Sequence, residues 1–281
     1  GQPVLVIPRV RTHIAARTES LLETRRAKVG EAYVLTGEAA APFSQDWSGQ
    51  VRWTPRAVLR PADTAQVAKV VRLANETKTP VVPVSGNTGL AKGTSGEGAL
   101  MLSLDRLNKI IDVNLSRRTA TVEAGVILSN LHDAAEAHDL IFPLTLGARG
   151  SAMVGGLLST NAGGSNVVRY GSTRGLCLGL EIVMADGRTM NLMSALHKDN
   201  SGLDLRNLII GAEGTLGIIT AAVVKLLPKP KAYATAMVAV PSLDDALTLL
   251  HRLQDETGGG VEAFEYMPRS YIEKHKALFP D

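Results

Sequence analysis

Several residue types are scarce in this chain of 281 residues, and each scarcity excludes a structural feature or a class of partner. Its single cysteine, Cys177, excludes an internal disulfide and fits a reducing compartment. Aromatic residues make up only 4% of the chain and are scattered, so it lacks the interleaved basic and aromatic residues that bind single-stranded nucleic acid. The formal net charge of +3 is too slight to indicate such a partner. We therefore expect no nucleic-acid binding.

Long apolar runs are also missing. No stretch approaches the roughly 18 uninterrupted apolar residues of a membrane-spanning helix. The amino-terminal residues show no apolar segment of the signal-peptide type. We therefore expect no transmembrane segment, and a location in the cytoplasm or, in a eukaryote, in the mitochondrial matrix.

The remaining composition is ordinary for a soluble globular protein. Hydrophobic residues make up 45% of the chain and charged residues 20%. The length allows one large domain or two small ones, and the Pro-Lys-Pro-Lys stretch at residues 228–231 is a stiff break between them. We expect an N-terminal helix and lead-in over residues 1–56, a main domain over residues 57–230, and the beginning of a second, incomplete domain over residues 231–281.

Local patterns predict strands that alternate with helices. Asp63 and Gln66 have the spacing of a capping box before an apolar helical pattern. The strand–helix–strand order that follows places the loop after residue 84 at the C-terminal end of a parallel strand, where open α/β sheets bind cofactors. Asp186 and Gly187 form the turn of a hairpin over residues 180–193. Further predicted strands occupy residues 57–60, 81–84, 99–104, 110–113, 119–123, 218–227, 234–240 and 261–266, and further predicted helices occupy residues 12–29, 126–138, 204–210 and 242–256.

Glycine is concentrated in two places, which we call the first loop (residues 85–90) and the second cluster (residues 147–164). Glycine permits positive φ and close approach of another group to the backbone. Successive N–H groups in such bends can bind an anion. The alternative is that these glycines only mark turns, which collect Gly and Asn. Two dense clusters in one domain favour a diphosphate-bearing cofactor held mainly by backbone amides.

Two common nucleotide-binding motifs are absent. A P-loop needs Gly-x-x-x-x-Gly-Lys followed by Ser or Thr, but Gly86 leads instead to Ala91-Lys92-Gly93. The dinucleotide fingerprint Gly-x-Gly-x-x-Gly occurs neither in the two clusters nor in residues 211–217. The familiar ATP and NAD assignments therefore fail.

Several motifs, in a fixed order over about residues 46–266, nevertheless resemble those of a known family. On these motifs the chain resembles the flavoprotein superfamily of vanillyl-alcohol oxidase and p-cresol methylhydroxylase. Within it, the chain is similar to the FAD-linked D-2-hydroxyacid dehydrogenases, which act on D-lactate, D-2-hydroxyglutarate or glycolate. The motifs lie at residues 82–90, 143–151, 155–156, 160–164, 169–171, 199–205 and 211–220.

The resemblance implies a fold and a place for FAD. The fold would be α+β, a two-subdomain FAD-binding fold of the p-cresol methylhydroxylase type, followed by the start of a truncated α+β substrate-capping domain. FAD would lie between the subdomains. Amides of residues 86–89 would hold its pyrophosphate, Ser151 and Asn161 would donate from the other side, and Glu213 would accept from a sugar hydroxyl. Neutral donors can satisfy phosphate charge without a lysine.

The two ends of the cofactor have expected neighbours as well. Gly217 and Ile219 would line the adenine side, and Pro143, Leu146 and Gly150 would lie near the flavin ring. The residues expected to bind FAD are Pro83, Ser85, Gly86, Asn87, Thr88, Gly89, Leu90, Pro143, Leu146, Gly147, Gly150, Ser151, Gly155, Gly156, Thr160, Asn161, Gly163, Gly164, Tyr170, Glu213, Gly217 and Ile219.

The positions of the histidine and cysteine residues bear on two questions: whether FAD is covalently attached, and whether the chain binds a metal. Some relatives attach FAD covalently through a histidine in the first loop, which has none here, and Cys177 is not in a matching motif. We therefore expect dissociable FAD. His132 and His138 are six residues apart and lie on different faces of a helix. None of the six histidines forms a ligand pair, so no metal site is predicted.

The resemblance implies oxidation of a D-2-hydroxyacid to the 2-oxoacid by hydride transfer to the flavin. A base would take the hydroxyl proton and an arginine would grip the substrate carboxylate. Arg149, Arg169 and Arg174 are candidates for that positive charge, although surface or backbone pairing is favoured for each. No catalytic residue is assigned within the chain.

The resemblance also implies partners. A small 2-hydroxyacid and an electron acceptor are expected, the latter a quinone, a cytochrome or an electron-transfer flavoprotein. Relatives continue through a complete capping domain to a His-rich C-terminal region, so we expect this chain to be weakly active or inactive alone. Two alternatives stay open: a non-catalytic FAD-binding electron-transfer subunit of a larger oxidoreductase, and a non-flavin sugar-phosphate binder.

Overall fold

The computed structural model describes residues 29–280. The helix expected at residues 12–29 lies outside them apart from Val29. Four strands form a first sheet: β1 (Val34–Leu35), β2 (Ala57–Leu59), β3 (Val81–Val84) and β4 (Leu100–Ser103), in the order β1-β2-β4-β3. Strand β4 pairs in parallel with β2 and with β3, so the first loop leaves the C-terminal end of a parallel strand, as predicted.

Helix α1 (Thr64–Glu76) connects β2 to β3 and covers the first sheet. Its N-cap is Asp63, whose carboxylate accepts from the Gln66 amide at 2.7 Å, and the Gln66 side chain accepts from the Ala62 amide at 2.9 Å. These two hydrogen bonds satisfy the backbone amides of Gln66 and Ala62, which have no partner within the helix. The buried face consists of Val67, Ala68, Val70, Val71 and Ala74.

A second sheet is antiparallel throughout, in the order β5-β6-β10-β8-β9, and a two-stranded pair, β7 with β11, lies beside it. The hairpin between β8 and β9 turns at Asp186 and Gly187, as predicted, with Gly187 at φ 79°. These strands are β5 (Ile110–Asn114), β6 (Thr119–Glu123), β7 (Leu140–Ile141), β8 (Cys177–Val183), β9 (Thr189–Leu192), β10 (Ile218–Lys225) and β11 (Leu227–Pro228).

Short helices fill the space beside the second sheet, and two longer ones follow it. The short ones position the second cluster, because α3 packs against β6 and β10. Two 3-10 helices, Glu31–Tyr33 and Gly37–Phe43, precede β2. The remaining helices are α2 (Leu128–Glu136), α3 (Val154–Ser159), α4 (Val167–Tyr170), α5 (Thr173–Leu176), α6 (Arg206–Ile209), α7 (Leu243–Thr257) and α8 (Arg269–Leu278).

One apolar core joins the two sheets. Leu59 and Leu102 from the first sheet belong to the same buried cluster as Leu158 of α3 and Leu180 of β8, and all four are essentially inaccessible. Each fully buried leucine contributes about 1.5–3 kcal/mol to folding. This shared core fixes the first loop, which follows the first sheet, relative to the second cluster, which covers the second.

Two predicted strands are wrong. Residues 234–240 and 261–266 have no β-partner within residues 29–280, and most side chains of residues 234–240 are exposed. Alternating apolar residues do not supply the ladder of hydrogen bonds that makes a strand. The helix predicted between them is confirmed as α7, capped by Ser242, whose hydroxyl accepts from the Asp245 amide at 3.1 Å.

Candidate functional site

The first loop and the second cluster meet at Gly86. A methyl group at this residue would lie 2.0 Å from the Ser151 carbonyl oxygen and 3.1 Å from the Ala152 α-carbon. Beside this contact, a methyl group at Gly156 would lie 2.9 Å from the Ser85 β-carbon. Both glycines are therefore required by close approach of the two segments. The structure brings together the two bends that the sequence predicted to converge.

This junction carries donors without partners. Within the described part of the chain, no hydrogen bond engages the amides of residues 86–89. The Ser85 hydroxyl is buried and has no partner there either. A buried hydroxyl without a partner costs about 1–3 kcal/mol. Such a set of neutral N–H and O–H donors fits the diphosphate of a dinucleotide, which would accept from them.

A third segment, residues 211–217, completes the site. The Glu213 amide donates to the Ser159 carbonyl at 2.8 Å, and Glu213 has φ 52°, so the loop is fixed against the end of α3. A methyl group at Gly214 would meet Pro83 of β3 at 2.5 Å, and one at Gly93 would lie 3.5 Å from the Glu213 carboxylate. Glu213 therefore lies beside the chain that follows the first loop.

Asn161 is oriented by its contact with Arg174. The Arg174 backbone amide donates to the Asn161 side chain at 3.0 Å. Because a backbone amide only donates, the accepting atom is Oδ1, and the Nδ2 group lies at the opposite end of the carboxamide. Nδ2 has no partner among residues 29–280. The Nδ2 group is therefore left with its donors unused by the described residues.

An open cleft of about 650 Å³ adjoins the second cluster, and we call it the Arg149 cleft. Unpartnered amides of Gly147, Gly163 and Gly164 belong to its walls. Gly164 is required there, because a methyl group would lie 2.2 Å from the Thr145 carbonyl oxygen. The cleft is lined by Thr145, Leu146, Gly147, Arg149, Gly163, Gly164, Ser165 and Glu265.

A second cleft, of about 280 Å³, is lined in part by Pro83, Gly214, Gly217 and Ile218. We call it the Pro83 cleft. Gly217, expected on the adenine side, therefore shares this recess with Pro83, another residue expected to bind FAD. Leu146, expected near the flavin ring, lines the Arg149 cleft instead. The two groups lie in separate clefts, and the junction of Gly86 with Ser151 belongs to neither wall.

Some predicted site residues are buried in packing. Gly155 donates its amide to the Ala124 carbonyl at 2.7 Å and packs on that residue, so it anchors α3 to the end of β6. Ile219 is 2% exposed within β10 and belongs to the main buried cluster. Pro143 is buried as well. The remaining predicted residues, Asn87, Thr88, Gly89, Leu90, Gly150 and Thr160, are half-buried or exposed along the first loop and the second cluster.

Tyr170 has a partner that the sequence did not indicate. Its hydroxyl donates to the Glu262 carboxylate at 2.7 Å, and Arg169 forms an ion pair with the same carboxylate at 3.2 Å. Burial, followed by the contact with Glu262, raises the pKa of Tyr170 to about 12. This contact ties the segment after α7 to α4. No local pattern identifies Glu262, because its partners Arg169 and Tyr170 lie more than 90 residues earlier in the chain.

The three candidate arginines have different surroundings. Arg174 donates to the carbonyl oxygens of Asn207 at 2.6 Å and Ile210 at 2.5 Å, and Arg169 is paired with Glu262. The guanidinium of Arg149 has no hydrogen bond or ion pair within the described residues. Pairing is thus found for two of the three, and Arg149 remains open to a ligand.

The family comparison identifies the domain that contains this site. Residues 55–193 match the family described as "FAD binding domain", a range that contains both the first loop and the second cluster. This part of the chain is an FAD binding domain. The prediction of FAD as the cofactor is confirmed. The fold is confirmed too, since solved structures of alkyldihydroxyacetonephosphate synthase superpose with TM-scores of 0.72 and 0.71 at 19% and 20% identity, covering 85% of this chain and 46% and 50% of theirs.

Curated relatives of this FAD binding domain include the D-2-hydroxyglutarate–pyruvate transhydrogenase of Saccharomyces cerevisiae, 39% identical over 84% of this chain and 48% of that protein. The D-2-hydroxyglutarate dehydrogenase of Xanthomonas citri pv. viticola is 41% identical over 82% and 49%. The mitochondrial D-2-hydroxyglutarate dehydrogenase of Danio rerio is 40% identical over 83% and 44%. The chain spans about half the length of these relatives. The resemblance to FAD-linked D-2-hydroxyacid dehydrogenases is confirmed.

The described residues contain neither a membrane-spanning helix nor a cluster of metal ligands. No helix between residues 29 and 280 is long and apolar enough to cross a membrane. In the same range, no group of three or more His, Cys, Asp or Glu side chains is placed to hold a metal ion. Cys177 is free and buried, and burial raises the pKa of its thiol to about 12.

Proposed function

We propose that this chain supplies the FAD-binding part of an oxidoreductase that oxidises a D-2-hydroxyacid to the 2-oxoacid. One observation carries the proposal: the first loop meets the second cluster at Gly86 and Ser151, and the amides of residues 86–89 have no hydrogen-bond partner among residues 29–280. When bound, FAD accepts the hydride that leaves the substrate α-carbon. The residues of this chain bind the cofactor and hold it in place.

Roles for individual residues follow from their surroundings. The amides of residues 86–89, the Ser85 hydroxyl and the Asn161 carboxamide donate to the diphosphate. Glu213 accepts from a sugar hydroxyl. The Pro83 cleft takes the adenine end, and the Arg149 cleft takes the flavin end. In this assignment FAD is not covalently attached, because the first loop has no histidine and the Cys177 thiol is buried.

The substrate of the proposed enzyme is D-2-hydroxyglutarate rather than D-lactate or glycolate, because all three relatives described above are named for it. Those names favour an enzyme over a non-catalytic electron-transfer subunit. The proposed electron acceptor is a quinone, a cytochrome or an electron-transfer flavoprotein. The proposed location is the cytoplasm, or the mitochondrial matrix in a eukaryote; the Danio rerio relative is named as mitochondrial.

We also propose separate roles for two parts of the chain. Residues 57–230 bind FAD, and residues 231–281 begin the substrate-capping domain. The contact of Tyr170 and Arg169 with Glu262 supports this division, since it joins the two parts next to the Arg149 cleft.

Anaerobic reduction tests the proposed activity. The FAD-loaded chain is mixed with D-2-hydroxyglutarate, D-lactate or glycolate without oxygen, and flavin absorbance is followed, with L-2-hydroxyglutarate as the control. We expect D-2-hydroxyglutarate to bleach the flavin faster than the other acids. Since this chain alone is expected to be weakly active or inactive, bleaching by dithionite but by none of the acids would contradict the enzyme assignment, and support the electron-transfer subunit, only if a version extended to the length of its relatives behaved the same way.

A further inference from the structure

Three segments at one end of the second sheet carry cations without acidic partners. They are the turn between β5 and β6, with Arg117 and Arg118, the segment after β9, with Lys198, and the end of β10, with Lys225. The side chains of Arg117, Arg118 and Lys198 are exposed and have no hydrogen bond or ion pair within the described part of the chain. Lys225 donates to the Gly175 carbonyl at 2.7 Å, which is a neutral acceptor.

Direct contacts join these segments. His197 donates from Nε2 to the Arg117 carbonyl at 2.9 Å, since a carbonyl only accepts. The Leu226 amide donates to the Arg118 carbonyl at 2.8 Å, and Lys225 pairs in register with the first residue of β6. The residues beside Lys198 and Lys225 therefore both contact the turn that carries the two arginines, and the four cations belong to one surface.

Two exposed leucines belong to the same surface. Leu115 begins the turn between β5 and β6 and is 52% exposed, and Leu196 immediately precedes His197 and is 61% exposed. A single exposed leucine is ordinary, but each of these lies on a loop that also carries an unpaired cation. We call this surface the basic patch, and it consists of Leu115, Arg117, Arg118, Leu196, Lys198 and Lys225.

The acidic side chains of the adjoining residues 196–206 do not neutralise the basic patch. Asp204 pairs with Arg206 at 2.7 Å, so its charge is already matched. Asp199 accepts from the Ser201 amide at 3.0 Å, which is a neutral donor. Asp199 thus leaves one negative charge beside four positive ones, and the surface keeps an excess of positive charge.

We propose that the basic patch binds the surface of a membrane that contains anionic lipids. The negative potential of such a surface attracts arginine and lysine side chains. Exposed leucines gain free energy when they leave water at the boundary between headgroups and acyl chains. The binding is to the membrane surface and involves no spanning helix.

An acidic protein surface would also complement positive charge, but the composition of the patch favours lipid. Protein interfaces are enriched in aromatic residues and depleted in lysine, and leucine is under-represented among the residues that dominate their affinity. The basic patch contains leucine and lysine and no phenylalanine, tyrosine or tryptophan. This inference goes beyond the proposed function and does not depend on it, because membrane binding requires neither FAD nor substrate.

Sedimentation with lipid vesicles tests the proposal. The chain, with and without FAD, is mixed with vesicles of phosphatidylcholine alone or of phosphatidylcholine with phosphatidylglycerol, and the sedimented fraction is measured at low and high salt. We expect binding to the anionic vesicles, weaker at high salt because salt screens the charges, and little binding to the neutral vesicles. No binding to anionic vesicles at low salt would overturn the proposal.

The arginines are tested by a double variant, Arg117→Gln with Arg118→Gln. Each cation near an anionic surface contributes about fivefold to affinity, so the variant should bind anionic vesicles about tenfold to thirtyfold more weakly. Lys69→Gln with Arg252→Gln is the matched control, because both residues are exposed, lie on α1 and α7, and have no ion pair in the described structure. Equal losses in the two double variants would assign the effect to net charge and overturn the assignment to this patch.

The leucines distinguish lipid from an acidic protein. Leu196→Ser should weaken vesicle binding by about threefold to tenfold, as loss of a partly buried leucine does. Leu278→Ser on α8, where the leucine is 65% exposed, is the control and should bind as wild type does. Soluble polyglutamate serves as the acidic-protein probe. Equally tight binding of polyglutamate, with neither ligand affected by Leu196→Ser, would overturn the lipid assignment in favour of an acidic protein.

The same titration is then carried out on a version extended to the length of its relatives. We expect anionic vesicles to bind it with the same dependence on Arg117 and Arg118. Vesicle binding by the shorter chain alone would mean that the additional residues cover the basic patch, and it would overturn the proposal.

Discussion

The α-carbon of Gly86 lies against the main chain of Ser151, so closely that a methyl group at residue 86 would be 2.0 Å from the Ser151 carbonyl oxygen. A contact between two main chains cannot be relieved by rotating a side chain. The first loop and the second cluster are therefore held in one arrangement, and the donors of both segments are brought together before any ligand arrives.

Replacement of Gly86 by alanine should separate these segments. We expect Gly86→Ala to lower the free energy of unfolding by about 1–3 kcal/mol, as overpacking does, and to weaken FAD binding by more than tenfold, as measured by denaturant unfolding and flavin titration. Gly89→Ala is the control, because a methyl group there meets no atom within 4 Å and the amide is kept. Wild-type FAD affinity in Gly86→Ala would show that the junction does not hold the cofactor.

The Arg149 cleft offers a second comparison of glycines. In Gly164→Ala the new methyl group would lie 2.2 Å from the Thr145 carbonyl oxygen, whereas Gly150→Ala meets nothing within 4 Å. We expect a loss of about 1–3 kcal/mol of stability in the first variant and wild-type stability in the second. Equal melting temperatures for the two variants would contradict the packing described here.

Replacement of Ser85 by alanine should not lower the stability of the chain but should weaken its binding of FAD. The buried Ser85 hydroxyl lacks a partner in the described structure, which costs about 1–3 kcal/mol. Ser85→Ala should therefore leave the flavin-free chain equally stable or more stable, and should weaken FAD binding by about tenfold, the loss of one hydrogen bond to a charged group. Thermal unfolding with and without FAD measures both effects. A variant that loses stability but keeps its FAD affinity would exclude Ser85 as a ligand.

The contact between Tyr170 and Glu262 predicts a pH dependence. The folded-state pKa of Tyr170, about 12, lies above its ordinary value of 10.0. The proton is thus held more tightly in the folded state, so this contribution to stability is fully present below about pH 10 and is lost as the pH rises towards 12. Tyr170→Phe should flatten the fall of stability over that range, as measured by denaturant unfolding at several pH values.

Glu262→Gln provides the companion measurement, because the neutral amide still accepts a hydrogen bond but carries no charge. In this variant the ultraviolet titration of tyrosine should show Tyr170 losing its proton at a lower pH than in wild type. An unchanged titration would mean that Glu262 does not contribute to the raised pKa.

Local sequence signals predicted the parts of the fold that depend on neighbours along the chain. The Asp63 cap and the turn at Asp186 and Gly187 were both predictable, because each rests on contacts within a few residues. The strands expected at residues 234–240 and 261–266 failed because a strand also needs a partner, and no partner is encoded in the strand's own alternation.

In the candidate site, too, some features are indicated by the local sequence and others depend on contacts between distant residues. Glycine at residue 86 indicated that something approaches the backbone closely, but not that the approaching group is Ser151. The surroundings of the three arginines were equally beyond the sequence, since Arg174 finds its acceptors on α6 and the residue after it, and Arg169 finds Glu262 after α7. Contacts between residues far apart in the sequence determine which of the three arginines has no partner among the described residues. Those contacts exist only in the folded chain.

Flavin content tests the central claim most directly. The purified chain is saturated with FAD, freed of excess, heated, and the released flavin is quantified and identified. We predict about one FAD per chain, released intact on denaturation, and its loss in Gly86→Ala but not in Gly89→Ala. A colourless chain that takes up no added FAD would contradict the account.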